Sequence, residues 1–185
     1  RHYPSGNNQF DVFLTLRLRV DLNKRTQEYT FKRATLSVGA PIDLQFPSAN
    51  ITGTVIEINS KPFKDRYIDK IIYLVNQGGY TKDFPYRYDQ IQIGDRYFDG
   101  EDYVFEILDK KLEKNIWSIA NNLNAQIYER EIETNQNIIV KAKVKVKEKN
   151  NGFYYGEEYK VNVNSSIPFA TSSFFFDGFS IRRIE

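Results

Sequence analysis

The most regular feature of the chain is the alternation of apolar and polar residues in two separate segments. The segment from Leu14 to Val20 reads LTLRLRV, so that leucine and valine occupy the even positions while Arg17 and Arg19 lie between them. Residues 138–146 repeat this pattern with small apolar residues and lysines. Alternate residues of a strand point to the same face. Each segment therefore predicts a half-buried strand with one apolar face and one basic face.

Further short apolar runs are separated by turn residues such as Gly, Pro and Asn, which is typical of a chain built from short strands. The exception lies between Leu112 and Ile127, where apolar residues recur at steps of three and four, as on one face of a helix. Asn121, Asn122 and Asn124 are poor helix formers, which leaves strand as the alternative there. The sequence predicts a mainly β fold, a barrel or a sandwich, with at most one short helix near 112–127.

Two parts of the chain resemble each other when one is shifted by 125 residues. The identities are Val38 with Val163, Ile42 with Ile167, Ser48 with Ser173, Gly53 with Gly178, and Ile56 with Ile181. Element order also matches, since each part has an alternating basic strand, a polar turn and an aromatic return strand. We expect two or three related β segments, at about 12–60, 68–110 and 138–185, to share a core within one compact unit, 10–185. The polar residues 1–9 are expected to be a flexible segment.

Composition removes most catalytic schemes. The 185 residues include no Cys, no Met and a single histidine, His2, and they carry a net charge of +2. Disulfides, thiolate metal sites and triads that contain histidine are therefore excluded, and no nucleotide-binding glycine motif occurs. So small a net charge gives no reason to expect a specific nucleic-acid partner. Because no Met is present, we expect Arg1 to be an internal residue of a longer precursor or of a trimmed product.

Carboxylate pairs are the remaining route to catalysis. The densest acidic stretch, GDRYFDGED, contains Asp99 and Glu101 between two predicted strands. Paired carboxylates support general acid and base chemistry. Acids in a turn that contains glycine are more commonly just solvated. We predict no enzyme activity, no cofactor and no metal site, and keep this carboxylate pair as the least favoured alternative.

Two groups of residues form the candidate interaction surface. The first is basic, and its functional interpretation is contact with an anionic polymer or a membrane surface, against a plain solvated strand face. The second is a run of three phenylalanines, which cannot all face one side of a strand, so at least one should be exposed or buried against a partner. The members are Arg17, Arg19, Lys141, Lys143, Lys145, Lys147, Phe174, Phe175 and Phe176.

The middle of the chain resembles a bacterial domain of unknown function, family 4330. Residues 70–108 carry a strand that leads to an I-x-x-G-D turn, Ile91 to Asp95, followed by a glycine and an isoleucine-rich strand. Residues 36–58 are similar to a second version of this pattern. The resemblance implies an extracytoplasmic β domain behind one membrane helix near the N-terminus. That helix would have to lie upstream of Arg1, and the family contributes no catalytic residues.

Together these features predict a non-enzymatic structural or interaction module. We expect it to be extracytoplasmic, part of a cell-surface or envelope assembly, and to self-associate with other protein subunits. The alternative is a β domain that binds carbohydrate or a polyanion through its lysine-rich strand face.

Overall fold

A computed structural model describes residues 1–6, 9–82, 85–121, 126–149 and 151–185, and for 116–121 and 126–134 it describes the backbone alone. The elements in these ranges are β1 (His2–Gly6), β2 (Gln9–Val12), β3 (Asp21–Asn23), β4 (Glu28–Phe31), β5 (Ala34–Leu36), β6 (Pro41–Phe46), β7 (Ala49–Thr54), β8 (Tyr67–Thr81), α1 (Tyr86–Gln90), β9 (Arg96–Phe98), β10 (Tyr103–Asn121), β11 (Gln126–Lys149), β12 (Gly152–Tyr155), β13 (Tyr159–Lys160) and β14 (Ser180–Ile184). The predicted mainly β fold is confirmed.

The chain divides into two compact units, where a single unit over 10–185 was expected. The main unit comprises residues 1–13 and 65–185, and the inserted unit comprises residues 14–64. The expected unit is interrupted because residues 14–64 pair among themselves, in a three-stranded sheet of β3, β4 and β5 and a hairpin of β6 and β7.

The main unit is organised around β11, which is 24 residues long. Its antiparallel neighbours are β8 on one side and β10 on the other, with β12 beside its last residues. β14 extends the sheet beyond β8, β9 extends it beyond β10, and β13 pairs with β12. The sheet curls into a half-barrel. Strands of this length twist strongly, and the twist brings one face of the sheet around a common core.

The core lies on the apolar face of β11, as the alternation predicts. Val140, Ala142, Val144 and Val146 are all fully buried. The aromatic residues of the last third of the chain fill the space in front of them, and Phe169 stacks on Phe105 with ring centroids 4.9 Å apart. Aromatic rings bury large areas, so a few of them complete the core of a single curled sheet.

The helix near 112–127 does not form, because β10 and β11 pair as a long hairpin across this region. Leu112 pairs with Ile138, and the pairing continues to Asn121 opposite Gln126. Asn122 and Asn124 lie outside the described residues. Inter-strand hydrogen bonds stabilise the extended backbone of the hairpin. The apolar residues here have a helical spacing, but the segment has a low α-helix propensity, so the strand is favoured. Among the described residues, the short helix is α1.

Part of residues 1–9, for which the sequence predicts a flexible segment, forms a strand in the structure. His2–Gly6 forms β1, paired with β2, and Tyr3 is buried in the core of the main unit. Asn7 and Asn8 lie outside the described residues. Tyr3 packs edge-on against Tyr155, with ring centroids 5.0 Å apart. The polar segment packs against the main unit because the large aromatic ring of Tyr3 is buried in the core.

The predicted strand at Leu14–Val20 is also not formed. These residues belong to no strand and make no backbone hydrogen bond with any described residue. An alternating sequence becomes a strand only where a neighbouring strand pairs with it.

Candidate functional site

The lysines of β11 form a row of ion pairs with acids on neighbouring segments. The Nζ atom of Lys143 lies 2.7 Å from Glu106, and that of Lys145 pairs with Asp102. The Nζ atom of Lys147 lies 3.0 Å from Asp65 and 2.8 Å from Glu157, and Glu157 also pairs with Lys149 at 3.0 Å. Lys141 lies over the ring of Tyr73 instead, at 5.9 Å. The basic row is therefore largely neutralised.

Lys147 differs most from the solvated lysine that the sequence suggests, because it is buried between two carboxylates. Burial by itself lowers the pKa of an ammonium group, but the hydrogen bonds that Lys147 donates to Glu157 and Asp65 outweigh it and raise the pKa of Lys147. The hydrogen bond to Glu106 likewise raises the pKa of Lys143. These lysines stay charged at neutral pH, and their charge is directed at the protein's own acids.

A shallow groove of about 150 Å³ lies over this face of the sheet. Its charged residues are balanced, since three bases and three acids line it. The ring of Tyr103 flanks it and carries the guanidinium of Arg96 at 4.7 Å. Such a groove offers hydrogen bonds but no net charge to attract a polyanion. The charged lining residues are Asp69, Arg96, Asp102, Glu106, Lys143 and Lys145.

The carboxylate pair predicted from the acidic turn is held by Arg1. The Arg1 Nη1 atom lies 2.6 Å from Asp99 Oδ2, and Nη2 lies 3.0 Å from Glu101 Oε2. Tyr3 also donates its hydroxyl to Asp99 Oδ2 at 2.9 Å, and the backbone amides of Glu101 and Asp102 donate to Oδ1 at 2.9 Å each. Both oxygens of Asp99 are thus occupied by groups of the protein.

The environment of Asp99 favours its charged form. Burial alone would raise the pKa of this fully buried carboxyl, but the backbone hydrogen bonds of Asp102 and Glu101, with those of Arg1 and Tyr3, lower it. A general acid near neutral pH needs a raised pKa. Asp99 therefore acts as an anchor for residues 1–3, a role that the sequence could not reveal because Arg1 and Tyr3 lie about a hundred positions away.

The three adjacent phenylalanines divide between the core and the surface. Phe174 and Phe176 are buried, and their ring centroids lie 4.9 Å apart. Phe175 is 37% exposed, which confirms that one of the three reaches the surface. A single exposed apolar side chain is normal for a soluble protein. This run does not by itself form an interaction patch.

The inserted unit, residues 14–64, differs from the main unit in that almost all of its side chains are at least partly exposed. Of residues 14–64, all of which the structure describes, Leu44 alone is buried. Leu14 is 50% exposed and Leu16 is 40% exposed. Arg17 and Arg19, which alternate with leucines in the sequence, are exposed as well. The further large exposed apolar residues of this unit are Leu22, Val38, Phe46 and Ile56.

This surface was recognised only in part from the sequence. Arg17 and Arg19 were identified, but Leu14 and Leu16 were assigned to a core. Composition gives no signal for this, because apolar residues are about as frequent in 14–64 as in the whole chain. Size limits burial instead, since a unit of 51 residues can bury little surface by itself.

No group of His, Asp and Glu side chains that could hold a metal ion occurs among the described residues. None of the helices described is long and apolar enough to cross a membrane. No protein-family model, curated protein or solved structure matches the chain.

Proposed function

We propose that the chain is a non-enzymatic interaction module that self-associates through its inserted unit, residues 14–64. The observation that carries this proposal is the nearly complete absence of a core in that unit, in which Leu44 is the one buried side chain among residues that are all described. An isolated hairpin or small sheet is marginally stable in water. Exposed apolar residues that such a unit cannot bury mark a surface that another molecule covers.

The segment 14–20 is the most direct part of this surface. Its seven consecutive residues belong to no strand, their apolar residues alternate with polar ones in the sequence, and no backbone hydrogen bond to a described residue satisfies their amides and carbonyls. Addition of such a segment to the edge of another sheet would supply main-chain hydrogen bonds and cover the apolar face together. The function we propose is therefore assembly by strand addition.

The internal repeat supports the same interpretation. Under the shift of 125 residues, the Leu22–Tyr29 pair of β3 and β4 falls on the Lys147–Tyr154 pair of β11 and β12. In the second copy the strand before this pair lies between β8 and β10. In the first copy the corresponding segment, 14–20, has no strand beside it in the described chain. A partner that supplies a neighbouring strand would complete the first copy as the second is completed.

The resemblance to the membrane-anchored family supports an extracytoplasmic setting, in a surface or envelope assembly. The alternative, binding of carbohydrate or of a polyanion through the lysine face, has less support. Four of the five lysines of β11, from Lys143 to Lys149, are already in ion pairs with the chain's own acids. Release of counterions from a nucleic acid or polysaccharide requires cations that are available to it.

Sedimentation velocity over a wide range of protein concentration, with hydrogen exchange of residues 14–64, tests the proposal. We expect concentration-dependent assembly and protection of the amides of 14–20 in the assembled state. Leu16→Lys should weaken association by about tenfold or more, because burial of a leucine contributes roughly 1.5–3 kcal/mol. Thr15→Lys adds the same charge on the opposite face and serves as the control, with little effect expected. A chain that stays monomeric while these amides remain unprotected would refute the proposal.

A further inference from the structure

We propose that the segment 14–20 is a processing site for a protease that cleaves after arginine, and that cleavage between Arg17 and Leu18 ends assembly. This inference rests on the proposed function and adds the regulation of the same segment. The reaction is hydrolysis: the oxygen of a water molecule bonds to the carbonyl carbon of Arg17, the peptide bond breaks, and the nitrogen of Leu18 takes a proton from that water. The products are a new carboxylate at Arg17 and a new amine at Leu18.

The segment has the two properties that such a protease requires. Its backbone is free, since residues 14–20 belong to no strand and make no backbone hydrogen bond with a described residue. A cleft that binds its substrate as an added strand needs those unpaired amides and carbonyls. Arg17 is exposed, and an acidic pocket in the protease selects a basic side chain before the cleaved bond. Unpaired residues lie on both sides of this bond, because it is at the centre of the segment.

The turns of the inserted unit are less suited to cleavage, although they too contain basic residues. Lys32 and Arg33 have φ angles of 50° and 72°, in the left-handed region, whereas a protease cleft needs an extended backbone. Lys24 and Arg25 lie in the turn between β3 and β4, where the amide of Arg25 donates to Asn23 Oδ1 at 3.0 Å. A bent or hydrogen-bonded backbone is cleaved only after it opens locally.

The other basic residues of the inserted unit have constraints beside them. Arg19 comes directly before Val20 and β3, so cleavage after it requires the first residues of β3 to leave their sheet. Lys61 precedes a proline, which has no N–H and restricts the residue before it. Lys64 is followed by an aspartate that Lys147 holds at 3.0 Å. Within residues 14–64, all of which the structure describes, the bond after Arg17 is therefore the one best placed for cleavage without local unfolding.

The fragment 1–17 stays bound after cleavage, because its first thirteen residues belong to the main unit. Tyr3 is buried in the core and donates its hydroxyl to Asp99 at 2.9 Å. The side chain of Arg1 pairs with Asp99 and Glu101, and its backbone exchanges hydrogen bonds of 3.1 and 2.9 Å with Phe13. The main unit thus keeps its fold while the strand-adding segment is cut in two.

Assembly and cleavage compete for the same backbone. A partner strand that pairs with 14–20 occupies the amides and carbonyls that the protease needs. Assembled copies are therefore protected, whereas unassembled copies are cut. A cut copy cannot return to the assembly, because the two pieces of its segment are no longer joined as one strand. Cleavage at this position thus removes the copies that have found no partner.

Brief digestion of the full chain with an arginine-specific protease, below the assembly concentration, tests the site. Intact-mass spectrometry should find 1–17 as the first fragment, and size-exclusion chromatography should find it bound to 18–185. Arg17→Gln should slow the first cut by about tenfold or more, because cleavage elsewhere awaits local opening. Arg25→Gln, in the turn after β3, is the matched control and should leave the rate unchanged. A first cut elsewhere, an unslowed Arg17→Gln variant or a fragment 1–17 that elutes alone overturns the inference.

A second comparison separates this inference from the proposed function. Where nine-tenths of the chain is assembled, cleavage after Arg17 should slow by about tenfold, and protein cut beforehand should stay monomeric in sedimentation velocity. Leu16→Lys, which weakens assembly, should lose this protection and so controls for saturation of the protease. A wild type that assembles but is cut equally fast, or that still assembles after the cut, overturns the regulation and leaves self-association standing. A wild type that never assembles overturns both.

Discussion

Replacement of Asp99 by asparagine should destabilise the main unit strongly. The asparagine oxygen can still accept the two backbone amides of the turn, but its NH₂ group then faces the donors of Arg1 and Tyr3. Two charge-assisted hydrogen bonds to the Asp99 carboxylate, from Arg1 and from Tyr3, are lost at a buried position. We expect a loss of about 3 kcal/mol in the free energy of unfolding. The matched control is Asp102→Asn in the same turn, where a partly exposed ion pair with Lys145 is weakened, and a smaller change is expected.

Hydrogen exchange of the buried amides Val140–Val146 measures this loss for the main unit alone, because these amides exchange through its most complete opening. A destabilisation of about 3 kcal/mol makes their exchange faster by roughly a hundredfold. The sign of the pH dependence follows from the lowered pKa of Asp99. The stabilisation is fully present above the pKa of an unfolded aspartate, about 3.9, and is lost as the pH falls through the lower pKa of the folded state.

The difference between the wild type and Asp99→Asn should therefore be constant near neutral pH and shrink below about pH 4. Chemical denaturation followed by circular dichroism extends the comparison to acid, where amide exchange is slow. The reasoning is refuted if Asp99→Asn costs no more than Asp102→Asn. It is refuted equally if the difference between wild type and variant persists unchanged in acid.

Two further pairs of substitutions test the core and the ion-pair row. Phe169→Ala should lower the free energy of unfolding by about 3–5 kcal/mol, because it removes a fully buried ring. The control, Phe175→Ala, should change the midpoint of urea denaturation little, because that ring is partly exposed. Equal effects of the two changes would contradict the assignment of Phe169 to the core and Phe175 to the surface. Lys147→Met should lower the free energy of unfolding by about 2 kcal/mol, measured by thermal unfolding. This is less than the roughly 3–5 kcal/mol expected when a fully buried ion pair is broken, because Asp65, one of the two carboxylates that pair with Lys147, is about a third exposed. Lys141→Met should have no measurable effect, and a loss as large as that of Lys147→Met would argue against the ion pairs as its cause.

The elements that follow from local pattern were predictable, and the contacts between distant segments were not. Val140 to Val146 lie on the buried face of β11 because alternation is a local property, visible in ten residues. The partners of Lys147 are Asp65 and Glu157, one of them about eighty positions earlier in the chain. Nothing in a single sequence selects these two among the many acids of the chain, so the neutralisation of the lysine face was not predictable.

The strand expected at Leu14–Val20 and the helix that was one alternative at 112–127 are both absent for a common physical cause. Local pattern at Leu14–Val20 predicts a strand, and spacing between Leu112 and Ile127 predicts a helix. A strand also needs a neighbouring strand. In the described chain, β11 pairs with β10 over residues 112–121, whereas no strand pairs with residues 14–20. Availability of a pairing partner is a property of the whole fold, and it decides both cases against the local signal.

The position of β8 has a consequence for the order of folding. The hairpin of β10 and β11 closes locally, whereas β8 joins β11 across an intervening stretch of chain and β14 joins β8 from more than a hundred positions away. Closure of long loops is entropically costly before the contacts that reward it are made, and folding slows as contact order rises. During synthesis, β8 would wait with one edge open until β11 and then β14 emerge. An open strand edge attracts other chains, so this interval is when the protein would depend most on a chaperone.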